Sequence, residues 1–460
     1  MPPKRPPLPS KRFDFKGEDP VTLTRPHRLK TLFGAPSFTH AEADPSPRTG
    51  IDRAIELARK AEALKITGFF TADLLQADPE GLAGSTGVQD PLITLAALSQ
   101  HTQHIGLVAT LSTTFYDPFN IARLVGTLDH VSGGRAAWNA VTSSVGEENF
   151  GTDLPSPEAR YERAREFIEI LNALYDANPG SVARRTASGS VVVDPKKLGR
   201  IDYKGKYFNV AGPLNIAPLP QGRPVQWQAG QSEAGIRLGA ELAEVVYTSQ
   251  PTLEQAIAFV TRLRSLARAA GRVEGAPFIM NSLHSVIGES EADTARRLRE
   301  RAERLDYDRG RLRLADMLGG GVDLQGLPLD RPLPASLLPE LDEVNRRRGR
   351  VEIFLGFAKQ GLTLRELIQR AEDTGHWHVA GTPEQIAAKV EERFNAGVVN
   401  VLTLHGLGNP DQEDLLVNGL IPELRKRNLL DDDYIEGGFR ANLGLPALQD
   451  AQTWHAARTA

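Results

Sequence analysis

Cysteine is absent from the 460 residues of this chain. That excludes disulfides, thiolate nucleophiles, cysteine-ligated zinc and iron–sulfur clusters. Long apolar runs are missing too: no segment approaches the length of a membrane helix. The net charge is -4, with no long block of one sign, so neither nucleic acid nor an anionic membrane is indicated as a partner. The chain also lacks a P-loop, a G-x-S-x-G elbow and a G-x-G-x-x-G fingerprint. What is there is an ordinary globular balance, 40% hydrophobic and 24% charged. The length exceeds one small core and fits one large barrel with insertions, or two domains. Met1–Ser10 is basic and proline-rich without the apolar core of a signal peptide. Residues 1–26 therefore read as a flexible arm, and the simplest class is a cytoplasmic enzyme.

Strands and helices alternate along most of the chain. Leu29–Gly34 is an apolar strand candidate, and Ile51–Lys65 follows with Ile51, Ile55, Ala58 and Leu64 on one helical stripe. Gly68–Asp73, Ile105–Thr110 and Arg135–Val141 read as strands. Between and after them come helices over Pro91–Gln103, Pro118–Val131 and Pro157–Tyr175, each opening with proline. The rhythm breaks at 177–224, which is rich in Gly, Pro and Val and reads as an insertion with short hairpin strands. It resumes with strands at Val225–Ala229, Glu244–Thr248 and Phe278–Ile287 and helices at Ser232–Leu242, Leu253–Ala270 and from Glu291. Residues 305–350, with Gly319-Gly320-Gly321 and a proline-rich run, read as a second, mobile insertion, a candidate lid over a barrel mouth. Helices near Phe354–Gly361 and Leu364–Thr374, a capped helix from Thr382-Pro383, a strand at Val398–Leu404 and a helix at Asp411–Arg427 complete the pattern. Eight strands in this rhythm predict an α/β fold, a (β/α)8 TIM barrel over about 27–430, with 431–460 as a C-terminal extension.

A parallel barrel builds its site where strands end. The polar residues at those ends are Asp73, Thr110, Ser112, Asn139, Thr142, Gln228, Thr248, His284 and His405. They are hydrogen-bonding groups, poor in nucleophile–base pairs, and suit a large ligand with many polar edges, such as a flavin ring. The mouth reads as charge-poor, which argues against a two-carboxylate glycosidase. In Gly230-Gln231-Ser232-Glu233-Ala234-Gly235, Ser232 reads as a helix N-cap; the first-turn amides suit a phosphate, whereas Glu233 opposes an anion. Taken alone, such a serine is more often a plain cap, and Tyr161 more often a half-buried core tyrosine. His101 with His104, and His376 with His378, are spaced to meet on one face, but a metal needs three or four convergent ligands, so no metal is assigned.

The runs Ala109–Phe115, Leu128–Ser143, Asn149–Gly151, Arg160-Tyr161, Gln228–Gly235, Gly381–Gln385, Ile421–Leu424 and Leu443–Leu445 stand in an order that resembles one group closely. Together they are specific, though each alone is weak. The chain resembles the bacterial luciferase-like superfamily, in the branch of nitrilotriacetate, dibenzothiophene-sulfone and long-chain alkane monooxygenases, over about residues 28–446. The resemblance implies a two-component monooxygenase on a (β/α)8 barrel. A separate NAD(P)H:flavin reductase would supply FMN as FMNH2, and O2 would oxygenate a small organic substrate through a flavin C4a-(hydro)peroxide. It further implies Asp73 near the pyrimidine side of the ring, Thr110 and Asn139 as ring hydrogen-bond partners, and Tyr161 and Ser232 at the phosphate; Thr142 and Gln231 complete the cofactor-binding candidates. A homo-oligomer, dimer or tetramer, is implied as well. Other readings are an F420-dependent oxidoreductase of the same superfamily, or a non-catalytic flavin-binding protein.

Three departures stand out, the first at an expected phosphate or ribitol contact and the other two bearing on the substrate. Pro157 stands where the family often has His, four residues before Tyr161, and Ser143 stands where the alkane branch has His. Phe38-Thr39-His40 and Pro47-Arg48 replace the usual first-loop pattern, so no relative's substrate carries over.

Overall fold

Hydrogen bonding closes the strands on themselves. The computed structural model describes residues 28–34, 50–76, 89–188, 191–272, 277–341, 344 and 348–448. Eight parallel strands form the ring: β1 (Lys30–Gly34), β2 (Gly68–Thr71), β3 (Gly106–Ser112), β4 (Ala136–Val141), β5 (Val225–Ala229), β6 (Val245–Thr248), β7 (Phe278–Ile287) and β8 (Val401–Leu404). Neighbours in chain order pair throughout, and Lys30 opposite Val401 shuts the barrel. β7 runs ten residues, longer than any other strand of the ring. Its upper half, Leu283–Ile287, therefore projects past the ring and pairs with an additional strand, Trp377–Gly381.

Strand alternation divides two cores. Phe33, Phe69, Leu107 and Trp138 face outward and pack with helix residues such as Phe167 and Leu171. Leu32, Phe70, Val108, Ala137, Trp227, Met280 and Val401 face the axis. Helices start where side chains take up first-turn N–H groups: Asp90, Asp117, Ser156, Ser232, Thr252 and Thr382 are all N-caps with that bond made. Each such cap contributes about 1 kcal/mol.

The C-terminal extension belongs to the barrel. Helix Gly438–Leu443 inserts Phe439, fully buried, into the axial core, where its ring lies 6.5 Å from that of Trp227. Gly106 and Gly68 leave the space: a Cβ on Gly106 would stand 2.1 Å from the Phe439 ring, and one on Gly68 3.1 Å. The end of the barrel opposite the strand C-termini is thereby plugged.

The insertions are more ordered than their composition suggests. Over 177–224, Ala183–Arg185 pairs with Val191–Val193, and Tyr203–Lys204 with Asn209–Val210. Glu166, on helix Pro157–Asp176, accepts backbone N–H groups from Lys206, Tyr207 and Phe208, which ties the second hairpin down. The 305–350 stretch contains helix Tyr307–Met317, which packs with helices Arg348–Lys359 and Leu364–Glu372 around Leu314, Phe354, Leu367 and Ile368. The apolar spacing of Leu314, Met317 and Leu318 supports that helix; the glycines that dominate the sequence reading lie just after it. Phe38–His40 and Pro47-Arg48, like the arm 1–26, lie outside the described residues.

Candidate active site

A cavity of about 720 Å³ opens at the C-terminal rim. Of the candidate residues, Thr142, Tyr161, Gln231 and Ser232 line it. Helix Glu233–Leu242 points its N-terminus into the cavity, and Ser232 Oγ accepts the Gly235 N–H at 3.3 Å. The hydroxyl proton of Ser232 is not used by that bond. The Tyr161 hydroxyl sits against the same turn: a Cβ on Gly230 or Gly235 would come within 2.9 or 2.8 Å of it. Gln231 Oε1 accepts from Thr248 Oγ1 at 3.2 Å and Gln250 Nε2 at 3.1 Å. Glu233 does not oppose an anion as the sequence suggests. Its carboxylate is bound by Arg262, with Arg237 at 3.4 Å, and the Arg262 hydrogen bond holds it below the usual carboxylate range.

The mouth is not charge-poor. Arg160, Arg165, Arg237, Arg348 and Arg350 line the cavity. Arg348 and Arg350 come from the distant insertion, so no local motif could have announced them. A Cβ on Gly349 between them would stand 2.9 Å from Gln231, which puts the insertion directly over the helix-terminus cradle. Pro157, at the first turn of its helix, also lines the cavity.

Thr110 and Asn139 lie on the barrel axis, two residues along from Val108 and Ala137 and opposite each other in register. Asn139 is 2% exposed. Its Nδ2 donates to Thr110 Oγ1 at 3.3 Å, while its Oδ1 has no hydrogen-bond partner among the described residues. Thr403 Oγ1 and Trp227 Nε1, also on axial positions, are in the same state. Asp73 stands just past β2, half-buried. Burial, and then the charge of Asp90, pushes its carboxyl up to about 6. Gln228 is a correction: it faces outward, and its Oε1 would lie 2.8 Å from a Cβ on Gly239 of the adjoining helix. The alternation that puts Trp227 on the axis requires this.

The opposite rim is built of imidazoles. Tyr247, His376, His284 and His405 stack in sequence. Ser249 Oγ lies 2.7 Å from His376 Nδ1, and Tyr247 hydroxyl 3.3 Å from His376 Nε2. His101 and His104 have separate neighbours: Arg59 lies 3.0 Å from His101, and the His104 ring stacks on Tyr434 at 5.1 Å. Burial pushes His378 down to about 4 and His405 to about 3, and holds His376 well below its usual value.

These shifts fix the sign of a pH effect. A ring whose folded pKa is depressed contributes stability above its unfolded pKa of about 6.5 and loses it as pH falls. Asp73 and Asp129, whose carboxyls burial raises, act oppositely, but the three rings, together with carboxylates held low such as Asp293 and Asp373, outweigh them. The urea midpoint is therefore expected to drop as pH is lowered from about 6.5 to about 4. A midpoint flat or rising over that window would contradict the burial of these rings.

The closed ring, its plugged floor and its polar rim are those of a TIM barrel, and the relatives that follow make the class a flavin-dependent monooxygenase. More specifically, the chain belongs to the luciferase-like monooxygenase family, whose model matches residues 31–400. It is 34% identical over 414 residues to the N-acetyl-S-(2-succino)cysteine monooxygenase of Bacillus subtilis, covering 89% of this chain and 93% of the relative. It is 33% identical over 430 residues to nitrilotriacetate monooxygenase component A of Aminobacter aminovorans, with 89% and 93% covered. Among solved structures, the EDTA monooxygenase of Chelativorans sp. BNC1 superposes with a TM-score of 0.72 at 29% identity, covering 91% and 99%.

Proposed function

We propose that this chain is the oxygenase component of a two-component system that takes FMNH2 from a separate NAD(P)H:flavin reductase and oxygenates a small organic substrate with O2. The observation that carries the reading is the cradle at Gly230–Gly235, where a capped helix terminus and the Tyr161 hydroxyl meet in a cavity whose wall carries arginines, some of them paired with Glu158 and Glu233. Backbone N–H groups and guanidinium groups together favour a phosphate there. The orphaned Asn139 Oδ1 fits the ring end, since a flavin N–H would satisfy it. When bound, the reduced flavin supplies the two electrons that activate oxygen. The chain's own residues would do the rest: Tyr161 and Ser232 would hold the phosphate end, Thr110 and Asn139 would orient the ring, Asp73 would lie near its pyrimidine side, and Thr142 and Gln231 would add contacts from the cavity wall.

Arginines on the cavity wall favour a substrate bearing carboxylates, and N-acetyl-S-(2-succino)cysteine, nitrilotriacetate and EDTA in the relatives' names are such compounds. The test has two parts. Anaerobic titration compares reduced FMN with reduced F420. A reductase, NADH, O2 and a panel of S- and N-alkyl carboxylates are then scored by mass for one added oxygen or a dealkylated fragment. Tighter binding of the deazaflavin would replace the monooxygenase reading by the F420 one; binding without any product would leave a flavin-binding protein.

Ser232→Asp puts a like charge at the cradle. FMN affinity is expected to fall about tenfold or more, a cost of about 1.4 kcal/mol, while riboflavin affinity changes far less. Equal losses for both ligands would remove the phosphate from this end.

A further inference from the structure

Three histidine rings form a column on the β7–β8 side of the mouth. His376 and His284 lie 5.4 Å apart, and His284 and His405 4.4 Å, with planes 11° and 29° from parallel. Ser282, one step below His284 on the same face of β7, joins two of them: its Oγ lies 2.7 Å from His405 Nε2 and 3.3 Å from His284 Nε2. The other nitrogen of His284, Nδ1, lies 3.4 Å from Asp373 Oδ1. Asp373 is buried, yet Arg301 at 2.6 Å and His378 at 3.7 Å accompany it. Burial pushes its carboxyl up, but the hydrogen bond from His284 and the Arg301 charge outweigh this and hold it well below the usual carboxylate range.

The charged and titratable groups around His284 are thus Asp373, Arg301 and His378 behind it, His405 on one face, and His376 with Tyr247 and Arg350 on the other. Among the described residues, Asp373 is the anion that faces it. The Tyr247 hydroxyl also hydrogen-bonds Ser282; along His405, Ser282, His284 and Asp373 protons can be arranged in two ways. A hydroxyl has one proton to give. In the first arrangement His405 donates from Nε2 to Ser282, Ser282 donates to His284 Nε2, and His284 donates from Nδ1 to Asp373. In the second, one proton has been added. His284 donates from both nitrogens, to Asp373 and to Ser282, and Ser282 turns to donate to His405 Nε2, which now keeps its own proton on Nδ1. The two differ by one added proton, by the turn of the Ser282 hydroxyl and by the tautomer of His405, whose proton stands on Nε2 in the first and on Nδ1 in the second.

We propose that His405, Ser282, His284 and Asp373 form a proton relay at the barrel mouth, with His284 as the ring that carries the proton. The proposal rests on the monooxygenase reading above. A monooxygenation consumes O2, substrate, and the two electrons and two protons of the reduced flavin. One oxygen atom bonds to the substrate and the other leaves as water. The departing oxygen takes a proton as it goes; the relay lends it and is refilled by one of the protons released with the reductant's electrons, so the relay is unchanged after a turnover. Burial holds His405 and His376 neutral, so neither competes with the ring that has a carboxylate behind it. His284 and Ser282 shape and load this relay; contact with substrate is not required of them.

Histidine 15N NMR of the full chain without cofactor, at about pH 8, where free imidazole is neutral, reads the tautomers directly. His284 is expected as the Nδ1–H form and His405 as the Nε2–H form, and Asp373→Asn is expected to release His284 into a mixture. If that variant does not fold, the wild-type tautomers decide. His284→Gln is expected to keep reduced-FMN affinity within about twofold, to lower product formation by about tenfold or more, and to remove the solvent deuterium isotope effect on it. His284 in the Nε2–H form, or a tautomer unmoved in folded Asp373→Asn, overturns the relay whatever the cofactor does. So does wild-type product formation in His284→Gln. Failure of the wild-type chain to bind reduced FMN would instead overturn the cofactor reading, and the NMR result would still decide the relay.

Discussion

Asn139→Leu is expected to weaken reduced-FMN binding about 100-fold, or about 2.7 kcal/mol, without lowering the stability of the free protein. The argument starts from an unpaired atom. Asn139 is buried on the axis, and its Oδ1 finds no hydrogen-bond partner among the described residues. A buried acceptor left unsatisfied costs about 1–3 kcal/mol. The free protein therefore carries a liability that a ring N–H would remove on binding, and leucine, with the same number and branching of heavy atoms as asparagine, removes it without a ligand. Thr110 loses the Nδ2 donor at 3.3 Å, a weak bond whose loss a turned hydroxyl can offset. Anaerobic titration and urea unfolding check the two halves separately. Unchanged affinity would take Asn139 out of the site. A fall in affinity and stability together would make it a packing residue.

Phe439→Ala is expected to cost about 3–5 kcal/mol of stability, as a large-to-small change in a closed core. The ring packs in the axial core with Leu32, Val108, Ala137 and Trp227, and Gly106 leaves it no slack. Gly106→Ala should also destabilise, because its methyl would stand 2.1 Å from that ring and overpacking costs about 1–3 kcal/mol. The two changes should not add. In the double variant the new methyl enters space the ring has left, so Gly106→Ala should cost little in the Phe439→Ala background. Urea midpoints of the four proteins give the coupling; strict additivity would mean that the glycine is not there for the ring. Weakening this plug should also disturb the axial layer above it, where Trp227 and Asn139 stand opposite each other in register.

The same residues show how far a reader of the sequence can go. Strand boundaries at Val225–Ala229 and Phe278–Ile287 are legible to the residue, because apolar runs bounded by Gly and Pro leave few alternatives. The caps Asp90, Ser232 and Thr382 are legible because capping is local chemistry. Gln228 is misread because the alternation in Val225-Gln226-Trp227-Gln228-Ala229 separates two faces without saying which of them meets the axis. The helix at Tyr307–Met317 is obscured by the glycines that follow it.

What the order of residues determined by itself was the alternation of eight strands with helices, the helix terminus at Ser232 and the family to which the chain belongs. Only the closed barrel decided which side chains share the axis, that Arg348 and Arg350 reach over Gln231, that Phe439 plugs the floor, and that Asp373 stands behind His284. The reason is sequence distance. Caps and periodicity arise within a few residues, whereas each of these contacts joins groups scores or hundreds of residues apart, whose meeting depends on ring closure.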